Sequence, residues 1–249
     1  MNVLLLRQEE EQDKYHLRFQ DPYIKNVTSI PVLAFEYCNL ELVRAFVEKI
    51  ETYSGLVFTS RRAITAFEQA ATTKQLSQIK NLANFSIYVV GRTTESCLSQ
   101  LGLASKGSDT GNAKELSELV ITEQKNATKP LMFLCGNLSR ETIPRRLTEV
   151  GIPNESISCY RTVSDKDFGR NFESYLKERH PDVMAFFSPS GIEFHIEKIR
   201  NFLPNIGEEV KVACIGDYTG DAVTRLGVKV SAVASKPTPD DLFNAIRAI

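Results

Sequence analysis

Gly55-Leu56-Val57-Phe58-Thr59-Ser60, running straight into an amphipathic stretch from Arg61 to Gln69, is echoed by Asp182-Val183-Met184-Ala185-Phe186-Phe187-Ser188, which runs into Pro189 to Ile199. Both phrases read as a buried strand turning into a helix through a hydroxyl residue. A second pair follows each. Phe85-Ser86-Ile87-Tyr88-Val89-Val90-Gly91-Arg92-Thr93-Thr94 leads to Leu101-Gly102-Leu103, and Val210-Lys211-Val212-Ala213-Cys214-Ile215-Gly216-Asp217-Tyr218-Thr219 leads to Leu226-Gly227-Val228. Ser60 to Gly91 is 31 residues and Ser188 to Gly216 is 28. A third echo sets Asn112-Ala113-Lys114-Glu115-Leu116 against Thr238-Pro239-Asp240-Asp241-Leu242, with the leucines 25 and 26 residues beyond Gly91 and Gly216. A period near half the chain is too long for a solenoid. It predicts two similar α/β lobes, and a cleft between lobes is a common place for a small ligand.

Six continuous apolar runs support parallel sheets covered by helices on both faces: Val3–Leu6, Leu56–Thr59, Ile87–Val90, Leu131–Leu134, Val183–Phe187 and Val212–Ile215. Extended runs at Ile30–Tyr37 and Ser156–Val163 are candidates for segments connecting the lobes. The first half is read as opening on Val3–Arg7 and the second on Leu131–Cys135. Asn112 with Glu115 has the spacing of a capping box. Ser188-Pro189 and Thr238-Pro239 place a cap before a proline at the first helical position. Gly102, Gly151 and Gly227 fit left-handed helix ends.

Composition narrows the function classes. The 249 residues allow one or two domains. At 42% hydrophobic and 24% charged, the chain is ordinary for a globular protein. A net charge of −1 offers no global basic field for nucleic acid. Val3–Leu6 is too short for a signal-peptide core, and no apolar stretch approaches membrane length. Cys38, Cys97, Cys135, Cys159 and Cys214 are dispersed without a C-x-x-C pair, and His16, His180 and His195 are equally scattered. The expectation is a reduced, cytoplasmic protein with no structural metal.

Candidate chemistry gathers at the junctions Thr59-Ser60, Gly91-Arg92-Thr93-Thr94, Ser188-Pro189-Ser190-Gly191 and Gly216-Asp217-Tyr218-Thr219. Backbone N–H groups at a helix start, with the helix dipole, favour negative charge, and the carboxyl edge of a parallel sheet is its ligand edge. Two such edges suit a ligand bearing several carboxylates. Each hydroxyl taken alone is equally read as a helix cap; recurrence in both halves tilts the reading towards a site. Arg61, Arg62 and Arg92 lie near the junctions and are better anion candidates than Arg140, Arg145 and Arg146, which read as a solvated helix face. Tyr160 ends a β-run near a lobe connection, where a phenol either packs or donates a proton or hydrogen bond. His195 reads as surface or half-buried, and the thiols as core or strand residues. There is no G-x-G-x-x-G after a strand, no Walker sequence and no G-x-S-x-G elbow. Ser188-Pro189-Ser190 has no obvious partner base, which argues against a serine hydrolase.

Taken in order, Val57-Phe58-Thr59-Ser60, Val89-Val90-Gly91 with Thr94, Gly111-Asn112-Ala113, Cys135-Gly136-Asn137-Leu138, Glu155-Ser156-Ile157 with Tyr160 and Thr162, Phe186-Phe187-Ser188-Pro189-Ser190-Gly191, Ile215-Gly216 with Thr219, and Pro237-Thr238-Pro239 with Leu242 resemble the uroporphyrinogen-III synthase family over nearly the whole chain. The resemblance implies two α/β lobes joined by a two-stranded β-ladder. One lobe would comprise residues 1–36 with 168–249 and the other 40–162, with 37–39 and 163–167 as connections. The implied reaction closes the linear tetrapyrrole hydroxymethylbilane to uroporphyrinogen III, inverting the last ring, with no metal or organic cofactor. Thr59, Ser60, Gly91, Thr94, Ser188, Ser190, Gly191, Gly216 and Thr219 match binding positions, and Tyr160 matches the tyrosine proposed to assist loss of the hydroxyl. Arg61 stands where a proline is common, and Asp217-Tyr218 replaces a Pro-Thr pair. The implied partner is the small-molecule substrate, with no nucleic acid or membrane and a monomeric state. A two-lobe protein that binds a tetrapyrrole or polycarboxylate without turnover would keep the anion junctions and could lose Tyr160. A nucleotide-dependent transferase would need a phosphate loop, and none is found.

Overall fold

The computed structural model describes residues 1–139 and 142–249. Its strands are, in chain order, β1 (Asn2–Leu6), β2 (Asn26–Ser29), β3 (Leu33–Tyr37), β4 (Gly55–Phe58), β5 (Ser86–Val89), β6 (Leu131–Gly136), β7 (Asn154–Ser164), β8 (Val183–Phe186), β9 (Lys211–Cys214) and β10 (Ala232–Val233). They form two five-stranded sheets, ordered β10-β9-β8-β1-β2 and β3-β7-β6-β4-β5. The described residues divide into a first unit, Met1–Ala34 with Val163–Ile249, and a second unit, Phe35–Thr162. β3 and β7 are neighbours in one sheet and carry the chain from one unit to the other.

Every neighbouring pair in the first unit's sheet is parallel, as are β7-β6, β6-β4 and β4-β5 in the second. Parallel pairing needs a crossover, supplied here by the intervening helices. It also buries both strand faces, which explains the unbroken apolar runs. On β4, Leu56 and Phe58 join a cluster with Phe46, Phe67 and Leu98, whereas Val57 faces Leu116, Val120 and Leu147. On β1, Leu4 and Leu6 pack with Phe168, Phe172 and Phe186, while Val3 and Leu5 meet Phe19, Leu242 and Phe243. Each such fully buried side chain contributes about 1.5–3 kcal/mol relative to exposure.

Val3–Arg7 and Leu131–Cys135 begin the two sequence halves, but neither pairs only within its own half: β1 lies between β8 and β2, in register Val3↔Val183 and Val3↔Val27. Likewise β6 pairs with β4. The opening strand of each sequence half therefore completes the sheet of the other half.

The helices follow their predicted signals closely. Asn112 accepts hydrogen bonds from the Lys114 and Glu115 N–H groups, although the reciprocal capping box forms at Thr72 with Gln75 instead. Gly102, Gly151 and Gly227 have φ of 73°, 77° and 73°. The stretch Pro189 to Ile199 is broken into two short helices, Pro189–Glu193 and Ile196–Phe202.

Candidate functional site

In the second unit the carboxyl ends of the parallel strands β5, β4 and β6 form one rim, with Gly91 after β5, Ser60 after β4 and Gly136 ending β6. β7 runs past Gly136 through Tyr160, and β3 lies antiparallel beside it, the Cys38 N–H donating to the Cys159 carbonyl and the Asp165 N–H to that of Val32, which brings Phe35 to Tyr160. Ser60 caps the helix Arg61–Ala70, its Oγ accepting the Arg62 N–H at 3.2 Å. At Gly91 no side chain caps the helix Arg92–Gln100, so a first-turn donor is left to solvent or ligand. Its φ of 81° suits glycine. Thr94, on the first turn, is buried, and its hydroxyl has no partner among the described residues. Thr59 is half-buried beside Ser60.

Tyr160 lies opposite Gly136, where the β6-β7 register slips. Its ring occupies the space that a side chain at Gly136 would take: a Cβ built there would sit 2.4 Å from the Tyr160 Cζ and 2.8 Å from its phenol oxygen. Asn137 ties the two strands beyond the slip. Its N–H donates to the Tyr160 carbonyl at 3.1 Å, and its Oδ1 accepts the Thr162 N–H at 2.8 Å. Phe35 meets the Tyr160 ring edge-on at 6.5 Å, and the Arg62 guanidinium lies 3.3 Å from the centre of the Phe35 ring. Burial pulls the Arg62 pKa below its usual value, with the Arg61 charge adding to the effect.

The first unit has a corresponding rim. Ser188 caps the helix Pro189–Glu193 by accepting the Gly191 N–H at 3.1 Å, and its Oγ is 3.5 Å from that of Ser190. Gly191 is close-packed, since a Cβ there would come within 3.1 Å of both the Ser188 Oγ and Val32 Cγ2. Gly216 precedes the helix Asp217–Arg225 without a side-chain cap. Its φ of 173° is extended backbone, so it differs in conformation from its sequence counterpart Gly91. Thr219 is not the cap. It is the third helical residue and is 3% exposed, with no hydroxyl partner among the described residues. Asp217 is exposed, as is Tyr218. Arg7, at the end of β1, is neutralised by the buried Asp13 and lies over the Tyr15 and Phe187 rings.

Thus Thr59, Ser60, Gly91, Thr94 and Tyr160 share one rim, and Ser188, Ser190, Gly191, Gly216 and Thr219 share the other. Phe35 escaped the sequence reading because nothing local marks it; only strand order brings it to Tyr160. His195 requires correction: it is 2% exposed, its ring tilted by 36° against Phe168 with ring centres 4.0 Å apart. Its Nε2 lies 2.7 Å from the Val32 carbonyl oxygen. Burial pushes the Cys159 and Cys214 thiols up to about 12, which removes them as nucleophiles near neutral pH. Arg92 pairs with Asp109 at 3.0 Å on the surface, Arg145 pairs with Glu149 and Arg146 with Glu118, and Arg140 lies outside the described residues. Among the described residues no helix is long and apolar enough to cross a membrane. Nor is any group of three or more His, Cys, Asp or Glu side chains placed to hold a metal ion.

A family model described as "Uroporphyrinogen-III synthase HemD" matches residues 25–244. The uroporphyrinogen-III synthase of Schizosaccharomyces pombe is 29% identical over 257 aligned residues, covering 99% of this chain and 96% of that protein. The Saccharomyces cerevisiae protein of the same name is 25% identical over 265, covering 99% and 95%. Among solved structures, uroporphyrinogen-III synthetase from Helicobacter pylori aligns with a TM-score of 0.69 at 15% identity, over 99% of this chain and 98% of that one. A mutant uroporphyrinogen III synthase from Thermus thermophilus aligns with a TM-score of 0.60 at 19% identity, over 100% and 98%. These two structural likenesses carry the fold. The family match spans most of the sequence, every strand except β1, and so the chain belongs to the uroporphyrinogen-III synthase family.

Proposed function

We propose that this protein closes hydroxymethylbilane to uroporphyrinogen III with inversion of the terminal pyrrole ring. The observation that carries the reading is the family match running from residue 25 to 244. The rims support it with hydroxyls and helix starts suited to carboxylates. Departure of the hydroxyl as water leaves an azafulvene; the substituted carbon of the terminal ring attacks it to give a spiro intermediate. That intermediate fragments and recloses at the other carbon, and a proton is lost. The electron-rich pyrroles supply the electron density, so the reaction proceeds with no added cofactor. The protein holds a flexible octacarboxylate in one fold, which is catalysis by positioning.

Tyr160 is the group we assign to assisting the hydroxyl's departure, by donating a hydrogen bond to it. Thr59, Ser60, Gly91, Thr94, Ser188, Ser190, Gly191, Gly216 and Thr219 are assigned to binding. The hydroxyls of Thr94 and Thr219 support this: each sits on a nearly buried residue with no protein partner among the described residues, and so can bond a ligand oxygen. We further propose a discontinuous lobe of residues 1–36 and 168–249 and a lobe of 40–162, with connections at 37–39 and 163–167. The protein is proposed to act as a cytoplasmic monomer with no nucleic-acid partner. Supplying freshly generated hydroxymethylbilane and separating the type I and type III products tests the activity. Type III product is expected; type I alone at high protein concentration, the outcome of unassisted closure, would refute it.

A further inference from the structure

Arg62 is the second residue of the helix Arg61–Ala70, directly after the Ser60 cap. Its neighbours Ala63 and Ile64 turn into the core, while the arginine side chain returns over the rim. The guanidinium stacks on Phe35 at 3.3 Å, a geometry in which the ring face attracts the cation. The same Phe35 ring meets Tyr160, and the titratable groups that act on Arg62 among the described residues are Arg61 and the phenols of Tyr160 and Tyr37, which are neutral near pH 7, with no carboxylate among them. Half-buried and beside a like charge, this cation is electrostatically incomplete, because burying a charge without an opposite partner is costly. Three arginines of the fold differ. Arg7 has Asp13, Arg92 has Asp109, and Arg146 has Glu118.

A guanidinium lying flat on an aromatic face keeps its N–H donors in its own plane, pointing outwards. That is the arrangement that takes a carboxylate through two parallel hydrogen bonds. We propose that Arg62 is a substrate-binding residue that takes one carboxylate of the linear tetrapyrrole in a bidentate pair and so sets the pyrrole bearing it against Tyr160. The proposal rests on the function assigned above. It also identifies what the Phe35 ring does: it holds the plane of the guanidinium at the rim.

The test compares wild type, Arg62→Gln and Arg62→Lys by steady-state kinetics with hydroxymethylbilane, by quenching of uroporphyrin III fluorescence on binding, and by melting temperature. Arg62→Gln is expected to raise KM and weaken uroporphyrin binding by about 10- to 100-fold, with kcat changed by no more than about threefold. Arg62→Lys should recover only part of the affinity, since an ammonium cannot make the paired contact. Wild-type KM and uroporphyrin affinity in Arg62→Gln would overturn the proposal. So would a fall in kcat at unchanged KM, which would place Arg62 in support of Tyr160 instead. If Arg62→Gln fails to fold, wild-type affinity in Arg62→Lys would overturn it equally. Wild-type protein that makes no type III product would refute the function itself. Active wild type with an indifferent Arg62 would refute only this assignment.

Discussion

Replacing Gly136 with alanine moves the Tyr160 phenol without removing it. Gly136 is not among the residues of positive φ, so alanine fits the backbone and the whole perturbation falls on its neighbour. The new methyl would lie 2.4 Å from Cζ, 2.6 Å from Cε2 and 2.8 Å from the phenol oxygen of Tyr160. Ordinary carbon contacts need about 3.5–4.0 Å, so the ring must retreat by roughly 1 Å or more. A displacement of about 1 Å at a reacting group can cost about 10²-fold in rate, and a hydrogen-bond donor has a working reach of only about 2.6–3.2 Å. We therefore expect Gly136→Ala to lower kcat by about 10²-fold or less, the same loss expected of Tyr160→Phe, with an overpacking cost of about 1–3 kcal/mol in stability. The decisive measurement is the rate of type III product in both single mutants and the double mutant, with melting temperature on each. The double mutant should be no slower than the slower single, because both changes remove one interaction. Wild-type kcat in a destabilised Gly136→Ala would show that the position of the phenol is irrelevant to turnover. Multiplied losses in the double mutant would show that Gly136 acts apart from Tyr160.

Two other predictions follow from buried groups. Thr219→Ala should lower kcat/KM by about 10- to 100-fold, the worth of a hydrogen bond to a charged group, with little change in melting temperature because Thr219 is not a cap. Thr219→Ser should keep most activity, and wild-type kinetics in Thr219→Ala would remove the residue from the site. His195 is held neutral in the fold, its pKa pushed below 6.5 by burial, with Lys198 acting in the same direction and the Val32 carbonyl and Asp165 opposing. The unfolded chain thus binds the extra proton first, so stability is kept above about pH 6.5 and falls as the pH drops below it. Denaturant unfolding between pH 7.5 and 5 should show a flatter pH dependence in His195→Gln; an identical slope would refute the assignment.

What could be read in the sequence depended on whether a feature is local. Leu56-Val57-Phe58 and Val183-Met184-Ala185-Phe186 announce themselves because a central parallel strand is buried on both faces. Asn26–Ser29 and Ala232–Val233 do not, being short strands at the sheet edges with half-buried or exposed side chains. Ser60 and Ser188 are legible as helix starts, since a cap acts within three residues. The choice of partner for β1 is not: the repeat provides an equivalent strand in each half, and only tertiary pairing decides between them. At the rim, Phe35, Arg62, Gly136 and Tyr160 come from four separate segments, so their stacking follows from sheet order alone. His195 misled because it follows Ser190 in what looks like one helix, whereas the helix breaks at Phe194 and the ring turns inwards.

The place of β1 also dictates an order of events during synthesis. Its partner β8 follows it by about 180 residues, so at a ribosomal rate of about 5–20 residues per second it waits roughly 10–40 seconds for that partner to emerge. The second unit is continuous in sequence, Phe35–Thr162, and every strand of its sheet, β3 to β7, is made within that interval. Meanwhile Val3-Leu4-Leu5-Leu6, all buried in the finished molecule, has only β2 to pair with on the nascent chain. An apolar strand left waiting in this way is a ready target for chaperones, and mispairing of β1 during that window is the characteristic hazard of a domain whose centre is made first and closed last.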